Sequence, residues 1–369
     1  MLAKTKPAKI RVLVIDDSRL IRIAASKMFG DDFDVVLGVD GADGWDIIQR
    51  DPDIQVVFTD LVMPEMDGFE LLKLIRTSNR QAISNLPVIV ATGADNPEVA
   101  KQKAISLGAT DFITKPFDGM AIKARAISYA KYHQANKQLQ EHTTLDVLTG
   151  LMNAKGLYRQ LEKEVAFVAR HNSSMTVMSI QVDGFKDLFI RIGRAGTEAI
   201  IKKVARVLND TVRKEDTIAR TGVAAFTVSM PLAQGENALE LADRICQKVE
   251  AFRAKLDGKR MKITVSVGIC VVEDNSVSDV ETLLDISEQA LLKASRRGSS
   301  QMSQMTMQEY QALQAQAARD TLSIDTLLAK IEAGQQSEVI PCLDVALERL
   351  APLLMLLSNE QKQRVITYR

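Results

Sequence analysis

Residues that could transfer a phosphoryl group follow the predicted buried strands in the first third of the chain. They are Asp16 and Asp17 after the first strand, Asp60 at the end of the third, Thr92 at the end of the fourth, and Lys115 after the fifth. Phosphoryl transfer to a carboxylate needs a nucleophilic aspartate, a divalent cation, and a further cation that holds the developing charge. Crowded carboxylates repel one another and favour a hard cation, so we expect Mg²⁺.

Five short apolar runs, separated by amphipathic segments, would position these residues. The runs are Arg11–Ile15, Val35–Val39, Val56–Thr59, Val88–Ala91 and Asp111–Thr114. Because helical patterns such as Gly68–Thr77 and Pro97–Leu107 lie between them, the region is predicted to be a doubly wound α/β domain with a five-stranded parallel sheet. The carboxyl ends of parallel strands meet in one crevice, and that crevice would hold the site. Single aspartates at strand ends are often turn residues, but here five suitable residues occur in order.

Four segments of this region resemble the receiver domains of two-component response regulators. They are Ile15–Ser18, Thr59–Gly68, Val90–Gly93 and Phe112–Phe117. The resemblance covers residues 9–130 and implies that a sensor histidine kinase or a phosphotransfer protein phosphorylates the chain. In that family the peptide bond before the residue that matches Pro116 is often cis.

The receiver resemblance also implies a role for each residue. Asp60 would be the phosphoacceptor. Mg²⁺ would be bound by the three carboxylates of Asp16, Asp17 and Asp60. Thr92 and Lys115 would contact the phosphate, and Phe112 would be the aromatic residue that reorients on activation.

A second folded unit, with a mixed pattern, begins near Asp146. Its predicted strands are Thr176–Val182, Thr217–Arg220, Ala225–Ser229 and Lys262–Val271. Its predicted helices are Thr197–Val212, Ala238–Leu256 and Val280–Arg296. This order predicts an α+β layout with a central hairpin.

Segments of the second unit resemble GGDEF domains, the diguanylate cyclase family. They are Asp146–Asn153, Val182–Lys186, Arg220–Phe226 and Thr264–Gly268. The resemblance covers residues 146–300 and implies a ferredoxin-like cyclase fold. The signature loop of the family, Gly-Gly-Asp/Glu-Glu-Phe, reads Gly222-Val223-Ala224-Ala225-Phe226 here, so alanines replace both acids.

Other positions where the family carries working residues also differ. Gln181 stands in place of the first metal-binding aspartate, while Asp183 matches the second. The guanine-recognising positions read Phe189 and Glu198, and the phosphate-binding lysine aligns with Ser295. Joining two GTP molecules needs carboxylates for metal ions, so the pattern predicts a degenerate, catalytically inactive domain rather than an enzyme. An active diguanylate cyclase is the remote alternative.

An Arg-x-x-Asp motif, Arg213 to Asp216, matches the position of an inhibitory site for cyclic di-GMP in this family. A guanidinium can hold a phosphate or a guanine edge, and a carboxylate can accept hydrogen bonds from guanine. Arg220 could assist. The alternative is an ordinary surface pair at a helix end, which contributes little.

A helix is predicted over Gly119–Leu145, and its residues 131–145 would link the two domains. Ile122, Tyr129 and Asn136 fall on a positions and Tyr132 and Leu139 on d positions, a pattern compatible with a parallel coiled coil and a homodimer. A single helix that packs on its own domain is the alternative. Residues 301–369, Gln-rich and strand-poor at first, predict a helical C-terminal extension.

Composition limits the class of protein. Lys plus Arg and Asp plus Glu are equal at 47 each, so net charge gives no attraction to nucleic acid or to a membrane surface. Three scattered cysteines, Cys246, Cys270 and Cys342, suit reduced thiols. No apolar run reaches about 18 residues, so we expect a cytoplasmic protein without membrane insertion.

Together these patterns predict a phosphorelay response regulator that is phosphorylated on Asp60. It would signal through a catalytically inactive GGDEF-like domain by contact with an unknown protein partner. The alternative is an effector that binds cyclic di-GMP through Arg213 and Asp216.

Overall fold

The computed structural model describes residues 9–93, 97–116, 118–233, 235–256, 259–272 and 279–321, with isolated positions between 327 and 356. The chain divides into two compact units, Met1–Met305 and Thr306–Arg369. The sequence predictions for Phe117 and Cys342 lie outside the described residues, as do most positions of the helices predicted near the C-terminus.

The first domain contains a five-stranded sheet in the order β2-β1-β3-β4-β5, in which all neighbouring strands are parallel. The strands are β1 Ile10–Ile15, β2 Phe33–Gly38, β3 Val56–Asp60, β4 Val88–Thr92 and β5 Asp111–Thr114. Each was predicted to within two residues at either end. The central strands are buried on both faces, which explains why their sequences are continuous apolar runs rather than alternating ones.

Helices cover both faces of this sheet. They are α1 Arg19–Phe29, α2 Gly41–Arg50, α3 Gly68–Arg76, α4 Gln81–Ser84, α5 Pro97–Ser106 and α6 Gly119–His142. The start of α3 is fixed by a capping box, in which Asp67 and Glu70 each accept a hydrogen bond from the other's backbone amide. The doubly wound α/β fold predicted from the sequence is confirmed.

The first part of α6 packs on its own domain. Ile122, Ala126 and Ala130 are buried in the core beneath α1, while Tyr132 is exposed. Ile122, an a position of the predicted coiled coil, is therefore covered by the receiver side of the chain. The structure favours the single packed helix over this part, and a homodimer stays a prediction.

The second domain has a six-stranded sheet in the order β13-β12-β7-β9-β8-β6, and a separate hairpin of β10 and β11. The strands are β6 Met152–Asn153, β7 Met175–Val182, β8 Thr217–Arg220, β9 Ala225–Pro231, β10 Arg253–Leu256, β11 Lys259–Lys262, β12 Val265–Val272 and β13 Met302–Met305. The helices are α7 Ala154–His171, α8 Phe185–Asn209, α9 Gly235–Ala251 and α10 Val280–Ser295. The mixed sheet, with its β8–β9 hairpin and flanking helices, is the α+β layout that was predicted.

The structure differs from the sequence prediction at several elements, including helix α7, which was not predicted, and the predicted strand Lys262–Val271, which is divided between β11 and β12. Met302–Met305 form an edge strand inside a segment predicted to be strand-poor, because pairing with β12 supplies hydrogen bonds that local composition does not reveal. The predicted helix over Ala238–Leu256 ends at Ala251, and its last residues form β10. Helix α8 begins twelve residues before the predicted Thr197, because Gly193, at φ +65°, interrupts the apolar periodicity with a kink.

Helix α11 (Met307–Thr321) belongs to the second compact unit. Its start is fixed by Thr306 and Glu309, whose side chains and backbone amides bond reciprocally. Among the described residues, no helix combines the length and apolar character needed to cross a membrane.

Candidate functional site

The carboxyl ends of the parallel strands bring Asp16, Asp60 and Lys115 together. The Lys115 Nζ lies 2.6 Å from the Asp16 Oδ2 and 2.6 Å from the Asp60 Oδ2. The three side chains are only 3%, 13% and 15% exposed, respectively, so the ion pairs are largely shielded from water. The sequence prediction that these residues share one crevice is met by this geometry.

Three carboxylates in this crevice could hold a metal ion. Ligand atoms of Asp16, Asp17 and Asp60 all lie within 4.8 Å of one another. Hard oxygen ligands of this kind suit Mg²⁺, which keeps several waters and takes one or a few carboxylates from the protein. The residues present therefore fit the predicted ion.

Backbone contacts hold the carboxylates in place. The Asp16 Oδ1 accepts a hydrogen bond from the Ser18 amide at 2.9 Å, and the Asp60 Oδ1 accepts one from the Leu61 amide at 2.6 Å. Gly68 packs so closely on the Asp60 carbonyl that a Cβ at this position would overlap the oxygen. The Asp60 side chain is thus positioned by neighbours that are fixed by the start of α3.

The environment of Lys115 keeps its amine charged. Burial by itself would lower the pKa of Lys115, but hydrogen bonds to Asp16 and Asp60 outweigh it and raise the pKa above the ordinary lysine value. The Lys115 amide donates to the Thr92 carbonyl at 2.8 Å, and the Lys115–Pro116 bond is cis. The cation is therefore available to hold charge that develops on a phosphoryl group.

Two further predicted residues lie beside these strand ends. Thr92 is 2% exposed at the end of β4. Phe112 is partly buried and packs against the apolar cluster that includes residues of α3 and α5. The proposed movement of Phe112 on activation stays a prediction.

In the second domain, strand register places Gln181 opposite both Ala225 on β9 and Ser266 on β12. Asp183 follows directly after β7, and both of its carboxylate oxygens already accept hydrogen bonds. The Oδ1 accepts from the Ser266 hydroxyl at 2.7 Å, and the Oδ2 accepts from the Ser300 amide at 2.8 Å. The partner in Ser300 was missed, because a contact across 117 positions leaves no local signal in the sequence.

The signature loop is the turn between β8 and β9. The Thr221 and Gly222 amides both donate to the Ala225 carbonyl, at 3.0 and 3.2 Å. Ala224 is 2% exposed and belongs to the apolar core, while its carbonyl accepts from the Val182 amide. The loop therefore presents small apolar side chains, of which one points into the core.

The three positions that align with nucleotide-binding residues of the family lie in different environments. Phe189 is 2% exposed and belongs to the apolar cluster of the first domain. Glu198 is paired with Arg194 at 2.8 Å on the surface of α8. Ser295 is exposed at the end of α10.

The Arg-x-x-Asp motif lies in the turn between α8 and β8. The Asp216 Oδ2 accepts a hydrogen bond from the Arg213 amide at 2.9 Å, so this carboxylate closes the turn. Burial raises the pKa of Asp216 above its ordinary value. Arg213 is exposed, and its guanidinium is accessible to a ligand in solution.

Sequence analysis missed the ion pair of Arg220. Its Nη1 lies 3.1 Å from the Asp146 Oδ2 and its Nη2 donates to the Val223 carbonyl at 2.8 Å, so Arg220 braces the start of the domain against the signature loop. The Nε is buried without a hydrogen-bond partner among the described residues. Arg220 and Asp146 both lie in segments that resemble the GGDEF family, and this shared resemblance was the signal in the sequence that could have indicated the pair.

A buried carboxylate, Glu164 on α7, was also missed. It accepts hydrogen bonds from the hydroxyls of Thr217 on β8 and Ser229 on β9 and from the Gln160 amide group. A glutamate on the apolar side of an amphipathic helix was the signal in the sequence. Its full set of hydrogen-bond donors indicates a structural role.

Family models match both domains. Residues 12–127 match the response regulator receiver domain, and residues 143–301 match the GGDEF domain of diguanylate cyclases. Among curated relatives, diguanylate cyclase DosC of Escherichia coli (strain K12) is 31% identical over 43% of this chain and 34% of its own length. Diguanylate cyclase DgcP of Pseudomonas aeruginosa is 29% identical over 46% of this chain and 25% of its own length.

A solved structure, the GGDEF domain of PA1120 (TpbB or YfiN) from Pseudomonas aeruginosa, is 26% identical. It covers 46% of this chain and 99% of its own, with a TM-score of 0.43. The chain spans about a third or less of the length of the two curated relatives named above, because the match is confined to the second domain.

These matches contradict the expectation that the chain is not an enzyme. The relatives are named diguanylate cyclases, and the family model for the second domain is that of an enzyme. The expectation gave more weight to single replaced positions than to the similarity of the whole domain. Those positions are Gln181, Phe189, Glu198, Ala224, Ala225 and Ser295.

Proposed function

We propose that this chain, a receiver domain followed by a GGDEF domain, is a response regulator of a phosphorelay and is phosphorylated on Asp60. The phosphate donor is a sensor histidine kinase or a phosphotransfer protein, and the GGDEF domain provides the output. The observation that carries the proposal is the placement of Lys115 between Asp16 and Asp60, at 2.6 Å from each. That arrangement supplies a nucleophile, a metal-binding pair and a cation in one crevice.

The chemistry follows from this geometry. An Asp60 carboxylate oxygen attacks the phosphorus atom of the donor, the new P–O bond forms, and the bond to the leaving group breaks. The Lys115 amine transfers its hydrogen bond from the Asp60 carboxylate to a phosphoryl oxygen, and the Thr92 hydroxyl binds another. Asp16, Asp17 and Asp60 would hold Mg²⁺, which would neutralise charge on the phosphoryl group when bound.

The test is phosphorylation of the full chain by acetyl phosphate with Mg²⁺, followed by mass spectrometry. Wild type should gain one phosphoryl group and Asp60→Asn should gain none. The matched control is Asp46→Asn, since Asp46 is 58% exposed on α2 and pairs with Arg50 on the surface. Equal labelling of all three proteins, or labelling that does not depend on Mg²⁺, would refute the proposal.

For the output, we propose that the GGDEF domain acts on guanine nucleotides under control of the receiver. This is supported by the cyclase names of the relatives and by the family match. The assay is formation of cyclic di-GMP from GTP with the receiver free, and with it bound to beryllofluoride. Formation of cyclic di-GMP that depends on the state of the receiver supports a regulated cyclase. Binding of GTP without product, or no binding of GTP, would indicate that the output acts through contacts with other proteins.

A second candidate is binding of cyclic di-GMP through Arg213 and Asp216. The favouring observation is that an exposed guanidinium and a partly buried carboxylate lie in one turn. Calorimetric titration with cyclic di-GMP should give heat with wild type that is lost in Arg213→Ala. Lys214→Ala is the matched control in the same turn, and equal heats in both variants would exclude this motif.

A further inference from the structure

A side chain of the GGDEF domain is buried in the core of the receiver. Phe189 on α8 is 2% exposed and belongs to the same apolar cluster as Leu71 and Ile75 of α3. Helix α8 contacts both α3 and α5. The adjacent residue on α8, Ile190, is 52% exposed, and the other buried apolar residues of α8 belong to the core of the GGDEF domain, so Phe189 is the buried side chain of α8 in the receiver cluster.

Gly193 allows the two domains to approach closely, and Gly222 lies near the receiver at an ordinary contact distance. A Cβ on Gly193, at the kink of α8, would lie 2.7 Å from the Ser106 carbonyl oxygen at the end of α5. A Cβ on Gly222, in the signature loop, would lie 3.7 Å from the Asn79 carbonyl oxygen, between α3 and α4. The receiver therefore packs on both α8 and the signature loop.

A cavity of about 300 Å³ remains between the two packed surfaces. The receiver contributes Arg76 and Gln81 to its wall, and the GGDEF domain contributes Arg194, Glu198 and Arg220. This volume is at the lower limit of the range for small-molecule sites. The receiver thus covers one side of the GGDEF domain. That side holds Phe189 and Glu198, which align with the guanine-recognising positions of the family.

The cavity wall carries more positive than negative charge. Its cations are Arg76, Arg194, Lys202 and Arg220, and its acids are Asp146 and Glu198. Arg76 is buried and donates to the carbonyls of Gly108 and Leu86, both at 2.8 Å, without a carboxylate partner among its described hydrogen bonds. A further positive charge on the receiver side should therefore oppose docking, and a negative charge should favour it.

We propose that docking of the receiver on α8 closes the guanine-recognition side of the GGDEF domain, and that phosphorylation of Asp60 loosens this docking. The physical link is Phe112, which packs against the same apolar cluster as Phe189. A change in the position of Phe112 alters the packing that Phe189 completes. This inference rests on the proposed phosphorylation and adds the regulation of access to the second domain.

The first experiment measures hydrogen exchange by mass spectrometry in the full chain. Phe189→Asp should speed exchange in α5 about tenfold, because an aspartate cannot enter the apolar cluster. The matched control Ile190→Asp carries the same change on the exposed neighbour and should leave α5 protected. Equal protection of α5 in both variants overturns the docking surface.

Charge variants at Gln81 keep the inference testable if Phe189→Asp fails to fold. Gln81 begins α4 and lines the cavity from the receiver side. Gln81→Lys should increase exchange in α5 and Gln81→Glu should decrease it. Changes of the same sign in both variants, or none, contradict docking at this cavity.

The last experiment adds beryllofluoride with Mg²⁺ to wild type and to Asp60→Asn. Exchange in α5 should increase in wild type alone, and GTP should bind at least several-fold more tightly to the treated wild type. If acetyl phosphate phosphorylates Asp60 but beryllofluoride produces neither change, the inference is overturned and the proposed function stays intact. If exchange in α5 increases in Phe189→Asp but Asp60 is not phosphorylated, the docking surface is supported and the proposed function is refuted.

Discussion

Aspartates serve two different purposes in the two domains. In the receiver, Asp16 and Asp60 share a single cation, Lys115, and Asp17 adds a third carboxylate within 4.8 Å. In the GGDEF domain, Asp183 has a hydroxyl donor and an amide donor, and the neighbouring strand positions are Gln181 and Ala225. The receiver crevice therefore holds three carboxylates against one lysine and retains excess negative charge, whereas the strand neighbours of Asp183 and its two hydrogen-bond donors are uncharged.

Residue type alone does not decide whether a carboxylate attracts a metal ion. A cation is favoured where several carboxylates have fewer positive partners than negative charges. Where a carboxylate has only uncharged donors and no carboxylate at the neighbouring strand positions, as at Asp183, less negative charge is present to attract a metal ion. Asp60 and Asp183 both follow a strand, yet their surroundings favour different partners.

A methyl group added to a glycine beside each site should affect the stability of the two domains very differently. Gly68→Ala would force a Cβ into the Asp60 carbonyl, so we expect a loss of about 3 kcal/mol or more in the free energy of unfolding, together with loss of phosphorylation. In Gly222→Ala the new Cβ lies 3.1 Å from the Ala225 Cβ, a contact that a shift of a few tenths of an ångström in the loop backbone would relieve, so about 1 kcal/mol or less is expected. Urea unfolding and acetyl phosphate labelling measure both effects. Equal losses would show that the two loops are equally constrained.

Removal of the shared cation should expose the charge in the receiver crevice. Lys115→Met leaves Asp16 and Asp60 without their ion pair and should lower the free energy of unfolding by about 2 kcal/mol in the absence of divalent ions. Millimolar Mg²⁺ should restore most of this loss, because the ion replaces the lost positive charge. The control is Lys101→Met, a surface partner of Glu98. A loss in Lys115→Met that Mg²⁺ does not reduce would contradict the metal assignment.

The corresponding change in the GGDEF domain should have a smaller effect without metal dependence. Asp183→Asn keeps one carbonyl oxygen for the Ser266 hydroxyl or the Ser300 amide, so about 1 kcal/mol should be lost. Asp243→Asn, an exposed partner of Gln247, serves as the control. Unfolding followed with and without Mg²⁺ gives the answer. Protection of wild type by Mg²⁺ that disappears in Asp183→Asn would show that Asp183 binds the ion.

The smallest effect is expected from removal of the second compact unit. Truncation after Met305 keeps β13 paired with β12, and phosphorylation of Asp60 should remain at the level of the full chain. Truncation after Ser300 is the contrasting variant, because it also removes β13 from the sheet. A loss of phosphorylation in the longer truncated protein would show that the receiver depends on residues 306–369.

The receiver could be predicted from the sequence because its signals are local. Continuous apolar runs indicate buried parallel strands, and the meeting of their carboxyl ends brings Asp16, Asp60 and Lys115 together. The ionic contacts at 2.6 Å are a consequence of strand order rather than of any feature near Lys115. Domain boundaries, which these patterns also suggested, stay a prediction.

Other features depend on contacts between distant segments. The amide of Ser300 reaches Asp183 across 117 positions, and β13 is a strand because β12 lies beside it. Phe189 aligned with a guanine-recognising position, and its sequence context gave no indication that it enters the core of the other domain. Periodicity describes one element at a time, and so it cannot reveal which surface will cover an apolar side chain.

The position of Phe189 also matters while the chain is being synthesised. The receiver strands and α6 are complete by residue 142, but the side chain that completes the apolar cluster beside α3 is made 47 residues later (189 − 142). At typical rates of about 5–20 residues per second, the nascent receiver leaves this face uncovered for roughly 2–10 seconds. During that interval the same face is open to other nascent chains and to chaperones, so the order of synthesis leaves this surface open to misassembly.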